Sequence, residues 1–168
     1  MKKTYTTFIS LIVALGGFLL GFDSAVISGA VGGITDYFDM TDWELGFSVG
    51  CVIFGAMGGN VLAGPMSDKF GRRSVLIVTA LLFTISAAWS ALATGYVEFV
   101  VARIIGGIGI GGAILIAPVY IAEIAPQKLR GSLVSLNQLN IVIGISVAYF
   151  SNYFLKIIYL IKKIKILF

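Results

Sequence analysis

At 168 residues, 58% hydrophobic, 12% charged and with a mean hydropathy of +1.01, the chain lies far from a soluble domain, in which about 25% of residues are charged. Its net charge of +4 falls in short connections between apolar runs, which argues against a nucleic-acid partner and for a lipid bilayer. It has no histidine, the commonest neutral-pH base and metal ligand.

A helix crossing a ~30 Å apolar core needs about 20 residues. Five stretches qualify, at about 8–30, 43–64, 74–93, 97–122 and 133–155. Lipid offers no partner to an unpaired backbone group, so all five are read as helices. The expected fold is one all-α transmembrane unit over residues 1–155, followed by a basic apolar tail at 156–168. The 21 glycines fit membrane helices that pack closely.

The first segment follows Met1-Lys2-Lys3 and carries Asp23 in GFDSAVISGA. A lysine pair, an apolar run and the triplet Ser28-Gly29-Ala30 also describe a cleaved signal peptide. The length of the run, Asp23 and the four further spans favour a retained helix. Counted from Phe8, Asp23 stands ~22 Å above the edge where the segment enters. The connection 31–42 carries Asp36, Asp39 and Asp42 and no positive charge. The second segment holds the single Cys51, so there is no disulfide framework, and Cys51 reads as a small core residue.

Residues 64–73, GPMSDKFGRR, come next. Gly64-Pro65 is read as the end of the second helix and Gly71 as a tight turn. Asp68 stands just before the third helix, whose positive end favours a carboxylate. Arg72 and Arg73 can reach carboxylates or helix C-termini on the same side. A plain basic loop accounts for the cations but not for the placed aspartate and glycines.

The third segment and the uncharged turn 94–96 lead to the fourth, which carries Arg103 in ARIIGGIGIGG. Arg103 lies ~9 Å in from its own edge and so ~21 Å from the other, level with Asp23. Gly107 and Gly111 follow at i+4 steps and bare that face to another helix. Charges at such depth are expensive and commonly functional. Two readings stay open. Asp23 can take up a proton and release the arginine, which keeps its own. Alternatively, the two form a permanent ion pair that only fixes packing.

The stretch 118–131, PVYIAEIAPQKLRG, follows. Pro118 can bend the helix and Pro126 can end the turn after it. Glu123 and Arg130 place opposite charges near those of the first basic connection. They are read as a gate closed by inter-helix pairs, with independently solvated charges as the alternative. The fifth segment sets Asn137, Asn140, Gly144 and Ser151 on one stripe, with Gln138 beside it. Neutral amides without a buried base suit an uncharged, hydroxyl-rich ligand, and Gln138 can both donate to and accept from sugar hydroxyls. Inter-helix hydrogen bonding is the alternative. The tail holds Lys156, Lys162, Lys163 and Lys165, half of the eight lysines. It is either a basic membrane-surface segment or sequence foreign to the fold. The second is preferred, because the charge rule holds at every earlier connection.

Lys2, Lys3, Lys69, Arg72, Arg73, Lys128 and Arg130 put seven positive charges on one side and none on the other. This predicts a multi-pass protein of the plasma or inner membrane with a cytoplasmic N-terminus. Metal-ligand spacings, nucleophile–base pairs and a Walker run are missing, and GGIGIGG follows no strand. No enzyme, ATP-driven pump, cofactor or metal is expected.

Together GFDSAVISGA, GPMSDKFGRR, ARIIGGIGIGG, PVYIAEIAPQKLRGSLVSLNQ and the fifth-segment stripe resemble the sugar porter family of the major facilitator superfamily. The resemblance covers residues 8–155 in one register and is greatest to bacterial sugar–proton symporters of the D-xylose type. It implies twelve helices in two pseudo-symmetric halves, with five of the first half present here. It implies proton-coupled monosaccharide symport by alternating access, with Asp23 as the proton-coupling carboxylate and Arg103 as its partner. It further implies a cytoplasmic network of Asp68, Arg72, Arg73, Glu123 and Arg130, and Gln138 as a sugar ligand. Leu20 stands where many relatives have phenylalanine, and Ile145 where the xylose type has a second glutamine, so the sugar is left open. The family's C-terminal half, which supplies most of the sugar's hydrogen bonds, is missing. The alternative expectation is therefore a truncated membrane protein without transport of its own.

Overall fold

The computed structural model describes the backbone of residues 3–167 and the side chains of residues 8–157. The chain forms α1 (Lys3–Phe38), α2 (Asp42–Phe70), α3 (Arg72–Leu92), α4 (Tyr96–Ile124) and α5 (Arg130–Leu167). Each contains a stretch long and apolar enough to cross a bilayer. Helices satisfy their own backbone groups, which lipid cannot do for them. The protein is an all-α membrane bundle.

The connections are short and locally specified. Between α1 and α2, Asp39 takes a left-handed φ of 51°, which aspartate tolerates better than most residues. Thr41 then starts α2 with a capping box. Its N–H donates to Glu44 Oε2 at 2.9 Å, and the Glu44 N–H donates to Thr41 Oγ1 at 3.4 Å. Before α4, the N–H and hydroxyl of Thr94 donate to Glu98 Oε2 at 3.0 and 3.2 Å. Gly71 alone separates α2 from α3. Its φ of 83° and ψ of 152° fall in a region open essentially to glycine only.

Helix ends differ from the sequence expectation. α2 does not stop at Gly64-Pro65 but runs through Pro65 to Phe70. Proline removes one backbone bond, and membrane helices tolerate this because neighbouring groups and small adjustments satisfy the freed carbonyl. Asp68 and Lys69 thus belong to the last turn of α2 rather than to a loop. α1 and α5 reach 36 and 38 residues, ~55 Å each, well beyond the core thickness. Extending a formed helix is easier than ending it. The α5 backbone continues through the expected tail to Leu167, whereas the side chains of Lys162, Lys163 and Lys165 lie outside the described residues.

α4 is the centre of the bundle. It is more than half buried along its apolar window, against less than a third for every other helix. In lipid, helices associate through close van der Waals contact rather than through escape from water. The glycines allow that contact. Added Cβ atoms on Gly107 and Gly111 would collide with the carbonyls of Val52 and Ala56 on α2. Reciprocally, Gly55 and Gly59 abut the carbonyls of Ile104 and Ile108. Around the helix, Gly106, Gly109 and Gly112 meet Ser86 and Thr79 of α3. α1 and α5 form a second pair in the same way, with Gly21 against the carbonyl of Ile141 and Gly144 against that of Phe18.

Gly111→Val should destabilise the bundle by about 1–3 kcal/mol, because overpacking must push α2 from α4. Gly58→Val, whose Cβ meets nothing, should change stability by only about 0.5 kcal/mol. Equilibrium unfolding of both variants in one bilayer mimetic checks the contrast.

Candidate functional site

The two membrane-depth charges meet. Arg103 of α4 donates through Nη1 to both carboxylate oxygens of Asp23 on α1, at 3.1 and 3.2 Å. Arg103 is 9% exposed, and the side chain of Asp23 is 22% exposed. A pair this sheltered gains little net stability over an apolar replacement. Removing one member alone costs about 3–5 kcal/mol, because the other is left as an uncompensated charge. The chemistry follows from the asymmetry of the partners. The carboxylate can be neutralised by a proton, and the guanidinium keeps its charge throughout.

Beside the pair, a cleft of about 690 Å³ opens between α1, α3, α4 and α5. This volume lies in the range of small-molecule sites. Its wall is mainly apolar and includes Leu20, with Gln138, Asn137, Tyr120, Thr79, Thr84 and Arg73 as polar groups. The fifth-helix stripe divides here. Asn137 is 4% exposed and packs on Gly17, while Gly144 sits against the α1 backbone. Asn152 donates to the carbonyls of Ala25 and Val26, each at 3.3 Å. These residues fasten α5 to α1. Gln138, one position further round the helix, is exposed and lines the cleft. Asn140 and Ser151 do not line it.

At the end of the bundle carrying the α2–α3 and α4–α5 connections, Arg72 is the hub. Its Nη1 donates to Asp68 Oδ1 at 2.7 Å, and its Nε donates to Glu123 Oε1 at 3.3 Å. Its Nη1 also bonds the hydroxyl of Ser67. One side chain thus ties α2, α3 and α4 together. Asp68 is 73% exposed, so water screens its pair with Arg72 and leaves it little weight in stability. The expected five-residue network is smaller here. Among the described residues Arg73 and Arg130 have no carboxylate at ion-pair distance. Successive helical positions diverge by about 100°, so Arg73 turns from the hub and lines the cleft instead. Arg130 is exposed at the start of α5.

Ser67, Tyr120 and Asn152 were not singled out by sequence reasoning. Ser67 ends the buried stripe Ser48, Cys51, Gly55, Gly59, Ala63, Ser67 of α2, and that run of small residues at i+3 and i+4 steps was a readable signal. Asn152 follows Asn137 by about four helical turns, a spacing that also marked it. Tyr120 carried no such signal.

The family described as "Sugar (and other) transporter" matches residues 9–168, a span that includes the basic tail. The chain is 46% identical to a glucose transport protein of Synechocystis over 90% of its own length and 32% of the relative's. It is 44% identical to an arabinose–proton symporter of Bacillus subtilis, covering 88% of this chain and 32% of that one. With the D-xylose–proton symporter of Escherichia coli K12 it shares 41% identity, over 92% of this chain and 37% of the relative. The inward-open structure of the E. coli xylose transporter XylE superposes with a TM-score of 0.81 at 41% identity, covering 90% of this chain and 40% of that one. The chain thus spans about a third of the length of these curated relatives. The motifs, the five-helix bundle and these matches agree: the chain belongs to the sugar porter family of the major facilitator superfamily.

Proposed function

We propose that these five helices are the N-terminal part of a proton-coupled monosaccharide symporter working by alternating access. The observation that carries this reading is the Asp23–Arg103 pair, a protonatable carboxylate held by a buried, permanently charged guanidinium. Protonation neutralises Asp23, removes its attraction for Arg103, and changes the energy of moving α1 against α4. Gln138 is the sugar-facing residue, since its exposed amide can donate to and accept from hydroxyls in a mainly apolar cleft. Asp68, Arg72 and Glu123 latch the cytoplasmic end, with Arg73 and Arg130 as unpaired cations able to join when helices tilt. The relatives are named for glucose, arabinose and D-xylose, which supports the monosaccharide class without selecting a member. Basic connections on one side only support a cytoplasmic N-terminus in the plasma or inner membrane. We take residues 1–155 as the membrane bundle and the basic residues from 156 as a tail that continues the α5 helix beyond it.

A second reading is that the chain alone is inert. The cleft is walled by helices of one bundle, whereas alternating access needs two bundles rocking about a midplane site. Proteoliposomes with this chain alone should therefore show no sugar uptake. Supplying the C-terminal half of the E. coli D-xylose–proton symporter as a second polypeptide should restore it. Uptake by the single chain would overturn the need for a second bundle.

In that two-part transporter, Asp23→Asn should abolish uphill accumulation driven by a proton gradient while sparing sugar exchange. Unchanged accumulation would remove Asp23 from proton coupling. Gln138→Ala should raise the half-saturating sugar concentration about 2–10-fold, the equivalent of one or two lost hydrogen bonds. Its maximal rate should change little, and a concentration series of initial uptake rates separates the two.

A further inference from the structure

Arg103 uses only Nη1 on Asp23. Its Nε is buried and has no hydrogen-bond partner among the described residues. A second cavity, about 300 Å³, lies at this side chain. Asp23, Arg103, Ser86 and Ser90 supply its polar lining. Ser86 and Ser90 are one turn apart on α3, and Ser90 stands two residues before the helix ends at Leu92. The hydroxyls thus lead from the end of the bundle bearing Asp36, Asp39 and Asp42 down toward the ion pair. Ser86 donates its own proton to the carbonyl of Ala102 at 2.7 Å, which leaves its oxygen free to accept. A buried water needs roughly 10–15 Å³ of room and two to four polar partners. The cavity exceeds that volume many times over. The Nε donor, the Ser86 oxygen, the Ser90 hydroxyl and the spare lone pairs of Asp23 supply partners.

Leu19 and Phe83 line both this cavity and the Gln138 cleft. They stand as an apolar partition between the two. The charged and titratable groups facing Asp23 are few. α4 presents Arg103. α2 presents only Val52 to the cavity. α3 presents only the neutral serines to the cavity.

We infer that this pocket is hydrated from the acidic end of the bundle through Ser90 and Ser86, and brings water to Asp23 by a route separate from the Gln138 cleft. Hydration follows from the geometry. Its use as a proton path rests on the reading of Asp23 as the proton-coupling carboxylate. Sugar and proton then reach the bundle through different openings, so a bound sugar does not block the exchange of the Asp23 proton with water.

Cysteine labelling of the reconstituted chain tests this. Ser90→Cys and Ala87→Cys place thiols in the pocket. Ile85→Cys, at 53% exposure and outside both cavities, places one against lipid at similar depth. The parent chain, with only the buried Cys51, gives the baseline. A small charged methanethiosulfonate reacts with thiolates, which form in water, so both pocket cysteines should react about tenfold faster or more than Ile85→Cys and the parent. Rates equal to those controls mean a dry pocket and overturn the inference. Reaction at Ser90→Cys alone means water stops above the ion pair, and overturns it too. Should Ser90→Cys lose its helical circular dichroism, Ala87→Cys, the deeper position, decides the matter by itself. Adding Gln138→Trp, which narrows the cleft, should leave the Ala87→Cys rate unchanged. A fall to the Ile85→Cys rate would put the water through the cleft and overturn the separate route. Labelling reads water and not transport, so its failure leaves the role of Asp23 to the accumulation assay.

Discussion

Inside a bilayer an apolar side chain gives up as much contact with lipid as it gains with protein, so helices hold together where their backbones can touch. In this chain that condition is met on α4. Gly107 and Gly111 admit the carbonyls of α2 on one face, and Gly106, Gly109 and Gly112 admit α3 on another. With both neighbours seated, the orientation of α4 is set, and Arg103 is directed toward α1. α1 is held in turn by α5, through Gly21, Gly144 and the amide of Asn152. The ion pair is thus the meeting point of two separately packed groups, α1–α5 and α2–α3–α4.

The seam between these groups is loose compared with the α1–α5, α2–α4 and α3–α4 packings. α1 touches α4 far less extensively than it touches α5, and both cavities open along that seam. An ion pair in such a place is a strong local tie across a weak interface. Loss of the Asp23 charge removes that tie and leaves the glycine contacts on either side intact. The Arg72 hub acts elsewhere. Its partners lie on α2 and α4, so it ties the helices of that group together at one end of the bundle.

Much of this was legible in the residues. Five apolar runs of membrane length became five helices, because lipid allows the backbone few other choices. Asp23 and Arg103 could be placed at one level by counting a fixed rise from opposite edges. Other expectations failed for identifiable reasons. Pro65 would be expected to end a helix in water, but membrane helices tolerate an internal proline, and α2 ran on to Phe70. The α5 stripe was read as a ligand face. Polar residues hidden from lipid suit a cavity or a neighbouring helix equally well: Asn137 lies both in the cleft wall and against Gly17 of α1, while Asn140 and Ser151 do not line the cleft.

By itself, the sequence determined the number of membrane helices, the segregation of charge to their ends, the depth of the buried ion pair and the family. Each of these follows from composition, length or a contiguous motif. Only the tertiary structure decided that Arg72 and not Arg73 joins Asp68 and Glu123, and that Gln138 is exposed in the cleft while Asn137, also in its wall, is buried against Gly17. Adjacent positions on a helix differ by about 100° in direction. Periodicity sets their directions relative to one another, while the absolute rotation of each helix is set by the glycine faces that its neighbours can reach.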